Sequence, residues 1–494
     1  MHYDFDMVVI GAGAAGLTAA GMSATLGAKT ALIEAGKLGG DCTWTGCVPS
    51  KTLLKAAKVA HSMRTAERFG MRPVQPQFDF AKVMEHVHDT QNHIYEEADA
   101  PPVYERLGVK VLCARASFLD QHRVKLRSQS GAEWEVSSRT FVIATGSGPG
   151  LPPVEGLSAV NYLTNETLFS LSKLPRRFIV VGSGPIGVEM AQAFRRFGSE
   201  VTVVSFENTV LFRDDRELST LLRESLAAEG IQFLFDTIVT RIERSGKGIR
   251  ITADNRFSKF KTTLEGDAVL FATGRRANFK GLNLEAAGVR TDKAGVVIDK
   301  RCRTSRKNIF ACGDVAGRLQ FTHMAEHMAK VAVSNALLHF PASIDFKHAI
   351  WCTYSDPELA HVGASEEELK RKGTAYDIYR FPFSKIDRAV TENEPTGMIK
   401  VMAKSLTGKI LGVSILGANA GEMIGEYALA MRNGITLRQF ADTIHPYPTY
   451  VLGNRRAADQ WYIRKLSPAY IRWLQRIFGT RGRLPDPPDP DRIM

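Results

Sequence analysis

Cysteine is scarce in this 494-residue chain, and its six copies are unevenly placed. Cys113, Cys302, Cys312 and Cys352 stand alone, and none follows Cys352. A secreted domain stapled by disulfides is thereby excluded, and these four read as buried apolar thiols of a protein from a reducing compartment. Cys42 and Cys47 have no second Cys or His pair at ligand spacing nearby, which argues against a structural zinc site. Long charge-free runs are equally scarce. Residues 8–28 carry no charge, but Asp4 and Asp6 precede them where a signal peptide is positive, and Gly and Ala fill much of the run. The expectation is a cytoplasmic protein without a membrane-spanning helix. Acidic residues are outnumbered, 52 against 64 Lys and Arg, for a net charge of +12 that favours anionic ligands. The basic residues are dispersed and no recognition motif is present, so no nucleic-acid partner is expected.

What is present concentrates near the N-terminus. Cys42 and Cys47 lie in the run Gly39-Gly40-Asp41-Cys42-Thr43-Trp44-Thr45-Gly46-Cys47-Val48-Pro49-Ser50-Lys51. At that spacing they make and break a disulfide without moving a domain, and beside a redox cofactor they form a two-electron relay. Upstream, residues 5–10 read as a strand that enters Gly11-Ala12-Gly13-Ala14-Ala15-Gly16 and a helix of small residues. Gly11 allows the tight turn, Gly13 lets backbone approach a pyrophosphate, and Gly16 lets helix and strand pack closely. Phosphates then sit at the helix N-terminus. The next strand, 30–33, ends at Glu34, whose carboxylate accepts hydrogen bonds from an adenosine ribose. The same arrangement recurs: strand 178–181, the turn Gly182-Ser183-Gly184-Pro185-Ile186-Gly187, helix 188–197 and strand 201–204, ending at Ser205. Gly182 and Ser205 are separated by as many residues as Gly11 and Glu34. Two dinucleotide sites and a dithiol imply electron flow from nicotinamide to flavin to disulfide to an external acceptor, with FAD at the first site and NAD(P)H at the second.

These residues resemble the pyridine nucleotide-disulfide oxidoreductases, the family of dihydrolipoamide dehydrogenase, glutathione reductase and mercuric reductase, over nearly all of residues 4–465. The resemblance implies an α/β fold: two Rossmann-like domains, FAD-binding (1–150 and 276–345) and NAD(P)H-binding (151–275), plus an α+β dimerisation domain (346–465) that makes a homodimer. It implies that Cys42 is the interchange thiol that meets the acceptor and Cys47 the thiolate in charge-transfer contact with the flavin. Lys51 matches the lysine near the flavin ring, and Glu189 its carboxylate partner; a cation there favours the anionic reduced flavin and the thiolate. Further matches are Ala144-Thr145-Gly146, Ala272-Thr273-Gly274-Arg275 and Ala311-Cys312-Gly313-Asp314. The resemblance places Asp314 on the ribityl hydroxyls, and the amides near Met324 and Ala325 beside the flavin.

The chain departs from the best-known members at two places. Ser205 neither repels a 2′-phosphate nor specifies a 2′-hydroxyl; Glu207 comes two residues late, and Arg213 approaches a phosphate only if its loop folds back. Because residues 210–215 look like the matching stretch of NADPH-using mercuric reductases, NADPH is the expected donor, with NADH as the alternative. Near the C-terminus the chain reads Ile444-His445-Pro446-Tyr447-Pro448-Thr449-Tyr450-Val451-Leu452, where the disulfide reductases carry a His-Pro-Thr motif followed by Glu. Tyr447 replaces the acid-base histidine and Leu452 the carboxylate, with His445 two residues away. Reducing an organic disulfide requires protonating a leaving thiolate, a task for a group titrating near neutrality, and tyrosine is a poor proton shuttle at pH 7. A soft metal ion needs thiolates and no proton donor, and mercuric reductases carry a tyrosine at this position.

The expected acceptor is therefore a soft metal ion. Against mercury in particular, the vicinal C-terminal cysteine pair of mercuric reductases is missing, and the chain opens directly on the first Gly-rich motif without the N-terminal metal-binding domain that some of them carry. Copper, a quinone or a small electrophile remain open. Two alternatives stand beside this reading: a dihydrolipoamide dehydrogenase working through Tyr447 or His445, and a membrane-associated redox-sensing flavoprotein. The second draws on the tail. Ser467-Pro468 starts a helix on which Tyr470, Ile471, Trp473, Leu474, Ile477 and Phe478 share a face, with Arg472 and Arg476 among them. Residues 467–479 suit either an anionic membrane surface or packing on the protein body. Residues 484–494 are rich in Pro and Asp and read as disordered.

Overall fold

The computed structural model describes residues 2–246, 248–258, 260–317 and 319–483, divided into two compact units. The first comprises Met1–Ala60, Pro76–Phe206 and Asp236–Asp345. In it, β1 (Phe5–Ile10) pairs in parallel with β2 (Thr30–Glu34) and with the long strand Glu133–Ile143, to which Ile309–Ala311 also pairs in parallel. Met7, Val8 and Val9 are all fully buried, so β1 is covered on both faces there, and residues 7–10 are all apolar rather than alternating. Helix α1 (Ala14–Thr25) follows the turn. Gly11 has φ +101°, and a Cβ there would lie 2.4 Å from the Ala144 carbonyl oxygen; on Gly16 it would lie 1.7 Å from the Gly11 oxygen. Only glycine permits this turn and this closeness of helix to strand.

The second motif repeats that stereochemistry. Strand Arg177–Val181 pairs in parallel with Glu200–Val204 and Ala268–Phe271, and helix Pro185–Phe197 starts with proline in its first turn. A Cβ on Gly182 (φ +115°) would lie 2.4 Å from the Ala272 oxygen, and on Gly187 2.0 Å from the Gly182 oxygen. An antiparallel three-stranded sheet, Thr237–Ser245, Gly248–Asn255 and Lys261–Gly266, belongs to the same unit. So does the short pair Ser147–Pro149 with Arg275–Ala277, which joins the ends of the two Ala-Thr-Gly turns.

The second unit (His61–Gln75, Glu207–Phe235, Phe346–Met494) is built on an antiparallel sheet of five strands, in the order Ile350–Thr353, Glu358–Gly363, Ile410–Gly417, Met398–Ala403, Asp377–Pro382. Helices Ala420–Arg432 and Leu452–Ile463 cover it, burying Tyr379, Phe383, Ile415 and Tyr427. Sequence pattern left no trace of Lys400, a buried cation of this unit held by Asp215 at 2.7 Å, Glu366 at 2.8 Å and Glu217 at 3.0 Å. Burial opposes its charge, but those carboxylates outweigh it and hold its pKa above the ordinary lysine value.

The scattered cysteines need a correction. Cys302 and Cys312 are buried as expected, and burial raises the Cys312 thiol to about 12. Cys113 is exposed and Cys352 half-buried, because each lies on an outer strand of its sheet, Lys110–Cys113 and Ile350–Thr353. Among the described residues no helix is long and apolar enough to cross a membrane. Helix Pro468–Phe478 forms as its sequence signals: Ser467 Oγ accepts the Tyr470 N–H at 3.2 Å, Gly479 ends it at φ +65°, and no residue of it is buried. The tail expected to be disordered, 484–494, lies outside the described residues.

Candidate redox and dinucleotide site

Helix α2 (Gly40–Trp44) carries Cys42, and Cys47 opens helix α3 (Cys47–Arg64). A Cβ on Gly40 would lie 2.6 Å from the Gly13 Cα, so glycine at 40 is what lets the dithiol segment close onto the first Gly-rich turn. Both sulfurs are free thiols. The Cys42 thiol hydrogen-bonds Cys47, and this contact above all lowers the Cys47 pKa to about 6. Dense protein around the sulfur opposes ionisation even though Cys47 has solvent access; the Thr322 hydroxyl at 3.4 Å and the Lys51 ammonium add to the lowering. Cys42 moves the opposite way, because its thiol is the donor, it is partly buried and it neighbours the Cys47 charge. The pair is thus one thiolate and one thiol at neutral pH. Lys51 is anchored by Glu189, whose two oxygens accept from Nζ at 2.9 and 3.2 Å.

Glu34 closes β2 with both carboxylate oxygens engaged: Oε2 accepts the Ala12 N–H and Oε1 the Gly36 N–H, each at 2.7 Å. That pins it to the rim of the turn. Gly13 offers no side-chain cap to α1, so the first-turn amides and the positive helix end face whatever lies over the turn. Asp314, in the short helical turn Gly313–Ala316, is the other carboxylate expected at this site. Burial raises its pKa, opposed by the Ser147 hydroxyl, which donates to it at 2.6 Å, and by Arg275 at 3.5 Å. Uncapped amides, a fixed carboxylate beside them and a polyol-sized acceptor at Asp314 fit an adenine dinucleotide flavin. Gly313 (φ +75°) meets Ala15 and Ala325, a Cβ there coming within 3.2 Å of each methyl, so Ala325 sits where Asp314 turns toward α1.

Sequence reading missed two groups. Arg275 links the segments: Nη1 lies 3.2 Å from Asp41, one residue before Cys42, and Nε donates to Ser147 Oγ at 2.7 Å. Thr322 starts helix Thr322–Leu337 and reaches Cys47. Arg275 stood inside a recognised motif, which was a usable signal; for Thr322 there was none. Thr145 donates to the Asn278 carbonyl, with Gly146 (φ +66°) and Gly274 (φ +110°) turning the chain on either side of the paired strands. At the second motif Gly184 stands in open space and Ser205 Oγ lies 2.7 Å from Ser183 Oγ, both side chains buried. Arg213 lies with its guanidinium carbon 5.4 Å from the Phe212 ring centre.

The remaining two predicted residues belong to the second unit. His445 is buried, with Nε2 2.6 Å from Glu426 Oε1 and Nδ1 2.9 Å from the Thr443 oxygen. Tyr447 is 70% exposed; its hydroxyl bonds the Asp387 carboxylate, which raises its pKa above the ordinary tyrosine value.

Residues 5–329 match the pyridine nucleotide-disulphide oxidoreductase family, and residues 350–455 match that family's dimerisation domain. The chain belongs to the pyridine nucleotide-disulphide oxidoreductases. This pyridine nucleotide-disulphide oxidoreductase is 34% identical to a mercuric reductase of Lysinibacillus sphaericus over 460 residues, 92% of this chain and 82% of that one. It is also 34% identical to a dihydrolipoamide dehydrogenase of Chaetomium thermophilum over 467 residues, 94% and 92% of the two chains. Among solved structures it is similar to the Cu(II) complex of the HOCl-induced flavoprotein disulfide reductase RclA of Escherichia coli, at a TM-score of 0.82, 26% identity and coverage of 93% and 100%. The protein is an FAD-dependent, NAD(P)H-oxidising flavoprotein, and its dimerisation domain marks it as a homodimer.

Proposed function

We propose that this flavoprotein passes electrons from NADPH by way of FAD to the Cys42–Cys47 pair and on to a soft metal ion, not to lipoamide. Tyr447 carries this reading. It is the residue offered across the dimer where a disulfide reductase needs its acid-base histidine, it is exposed, and Asp387 raises its pKa further from neutrality. His445 does not replace it, since both ring nitrogens are already engaged in its own core. Residues 1–150 and 276–345 would hold FAD, through the α1 amides, Glu34, Thr145, Gly146, Asp314 and Ala325. Residues 151–275 would hold the nicotinamide nucleotide at Gly182, Gly184, Gly187 and Gly274, and residues 346–465 would pair the subunits. When bound, FAD supplies two-electron exchange between nicotinamide and disulfide. Lys51, fixed by Glu189, keeps positive charge beside Cys47 and favours its thiolate. Cys42 meets the acceptor. In the final step the Cys47 thiolate and the Cys42 sulfur, whose thiol proton leaves to solvent as the metal binds, give two electrons and re-form the S–S bond; one mercuric ion or two cupric ions take both, and no proton has to be delivered to the acceptor. The copper complex of the similar RclA is in keeping with thiol-metal chemistry on this fold.

The test is anaerobic: enzyme reduced by NADPH is mixed with mercuric, cupric or lipoamide acceptors and its flavin absorbance followed. Reoxidation by a metal ion is expected, with lipoamide slower by at least about 10²-fold, the size of a missing general acid. Tyr447→His is expected to raise the lipoamide rate. Fast reoxidation of the wild-type enzyme by lipoamide overturns the reading.

A second reading concerns where the enzyme works. Tyr470, Trp473, Ile477 and Phe478 of helix Pro468–Phe478 are all exposed, on one face, and residues 464–483 contain Arg464, Lys465, Arg472, Arg476, Arg481 and Arg483 without one acid. An apolar face rimmed only by cations complements a phosphatidylglycerol surface. The whole protein is expected to co-sediment with phosphatidylglycerol vesicles and not with phosphatidylcholine vesicles, and to lose binding in Trp473→Glu. Equal recovery in the supernatant with both vesicle types sinks the idea.

A further inference from the structure

In a strand-turn-helix-strand dinucleotide site, the residue ending the second strand reads the adenosine ribose. Here Ser205 is committed elsewhere: its hydroxyl meets Ser183 at 2.7 Å, and its carbonyl accepts the Thr237 N–H at 2.8 Å. Phe206 comes next and is half exposed. Over its ring lies Arg256, from the turn after strand Gly248–Asn255, with the guanidinium carbon 3.7 Å from the ring centre. Arg256 Nη1 also donates to the Phe206 carbonyl at 2.9 Å and lies 3.9 Å from Asp236 Oδ1. The Arg256 backbone N–H donates to the Asp236 carbonyl at 2.8 Å. Residues 255–258 are held locally, because Asn255 Oδ1 accepts from the backbone N–H groups of Phe257 and Ser258, each at 3.0 Å. These contacts all use Nη1 or the backbone, so among the described residues Nε and Nη2 have no hydrogen-bond partner. Phe257, 79% exposed, stands 5.4 Å from the guanidinium.

We propose that Arg256, clamped on Phe206, is the residue that binds the 2′-phosphate of NADPH, with the exposed Phe206 and Phe257 forming the adenosine side of that site. The inference rests on reading the second Gly-rich turn as the nicotinamide-nucleotide site. A planar guanidinium with two free donor edges suits a phosphate dianion, and the aromatic clamp removes the freedom that a solvated arginine would lose on binding. The charge arrives from a distant segment because the strand end offers only a buried serine. NADPH is thereby preferred without a basic residue where the local pattern would have put one.

Binding of 2′,5′-ADP and of 5′-AMP to the FAD-loaded protein is measured calorimetrically for wild type and Arg256→Gln, beside anaerobic flavin reduction by NADPH and NADH. Arg256→Gln is expected to weaken 2′,5′-ADP by about 10- to 100-fold, the worth of a charge-assisted hydrogen bond, and to leave 5′-AMP unchanged. Retained yellow colour certifies the fold. Unaltered 2′,5′-ADP affinity in Arg256→Gln, with NADPH still reducing the flavin, overturns the assignment of Arg256 alone. If neither nicotinamide nucleotide reduces the flavin and neither adenosine nucleotide binds, the nicotinamide-site reading beneath it fails as well.

Discussion

Cys42→Ser is expected to yield a yellow protein that NADPH still reduces and that no longer passes electrons to its acceptor, turnover falling by at least about 10³-fold as for loss of a reacting nucleophile. The geometry separates the two roles. In the proposed arrangement FAD and the nicotinamide nucleotide would be held by the Gly-rich turns, Glu34 and Asp314 and not by the Cys42 sulfur, so binding and flavin reduction have no reason to change. Re-forming a disulfide needs both sulfurs, so the acceptor step has no way to proceed. A companion change isolates the electrostatics. In the reduced enzyme Cys47 is ionised above about pH 6 and becomes protonated as pH falls through that value, because the Cys42 thiol donates to it. Cys42→Ala removes that donor. The alkylation rate of Cys47 by iodoacetamide, followed against pH, should then show a midpoint shifted upward; an unmoved midpoint would mean that Lys51 and Thr322 suffice. Unchanged acceptor turnover in Cys42→Ser would sink the relay itself.

Gly16→Val should be the most damaging single change to cofactor retention. Its first added carbon would lie 1.7 Å from the Gly11 oxygen, inside the turn that connects β1 to α1. That contact is with backbone, so α1 must move away from the sheet and take its uncapped amides with it. Strain of this kind costs about 1–3 kcal/mol or more, and the displaced amides no longer form one anion site. The expected outcome is colourless protein with a lower melting temperature that added FAD does not restore. Gly184→Ala is the contrast, since no heavy atom lies within 4 Å of its added methyl; that variant should fold normally and keep FAD. Full flavin content in Gly16→Val would show that the turn tolerates more movement than its contacts allow.

Much of the first unit was legible in the chain. The strand expected at 5–10 is Phe5–Ile10, and the four glycines Gly11, Gly16, Gly182 and Gly187 sit where only a missing Cβ fits. Expected helix 188–197 starts three residues earlier, at Pro185, because proline suits the first turn of a helix. The tail helix obeyed its Ser-Pro start and its glycine end. Exposure at Cys113 was not legible, because whether a strand lies at an edge or in the middle depends on which strands pair with it, and that choice is not local.

Turn chemistry, dithiol spacing and the repeated nucleotide motif were determined by the sequence alone, since each is settled by steric and hydrogen-bonding rules acting within a few tens of residues. Tertiary structure alone decided the contacts that give those groups their character. Lys51 meets Glu189 across 138 residues of chain and Cys47 meets Thr322 across 275. Arg256 reaches Phe206 by way of a hairpin turn, and Arg275 joins Asp41 to Ser147. Such pairings follow from how sheets and helices pack, and packing sums many weak, non-local contacts that leave no periodic or compositional mark at either residue.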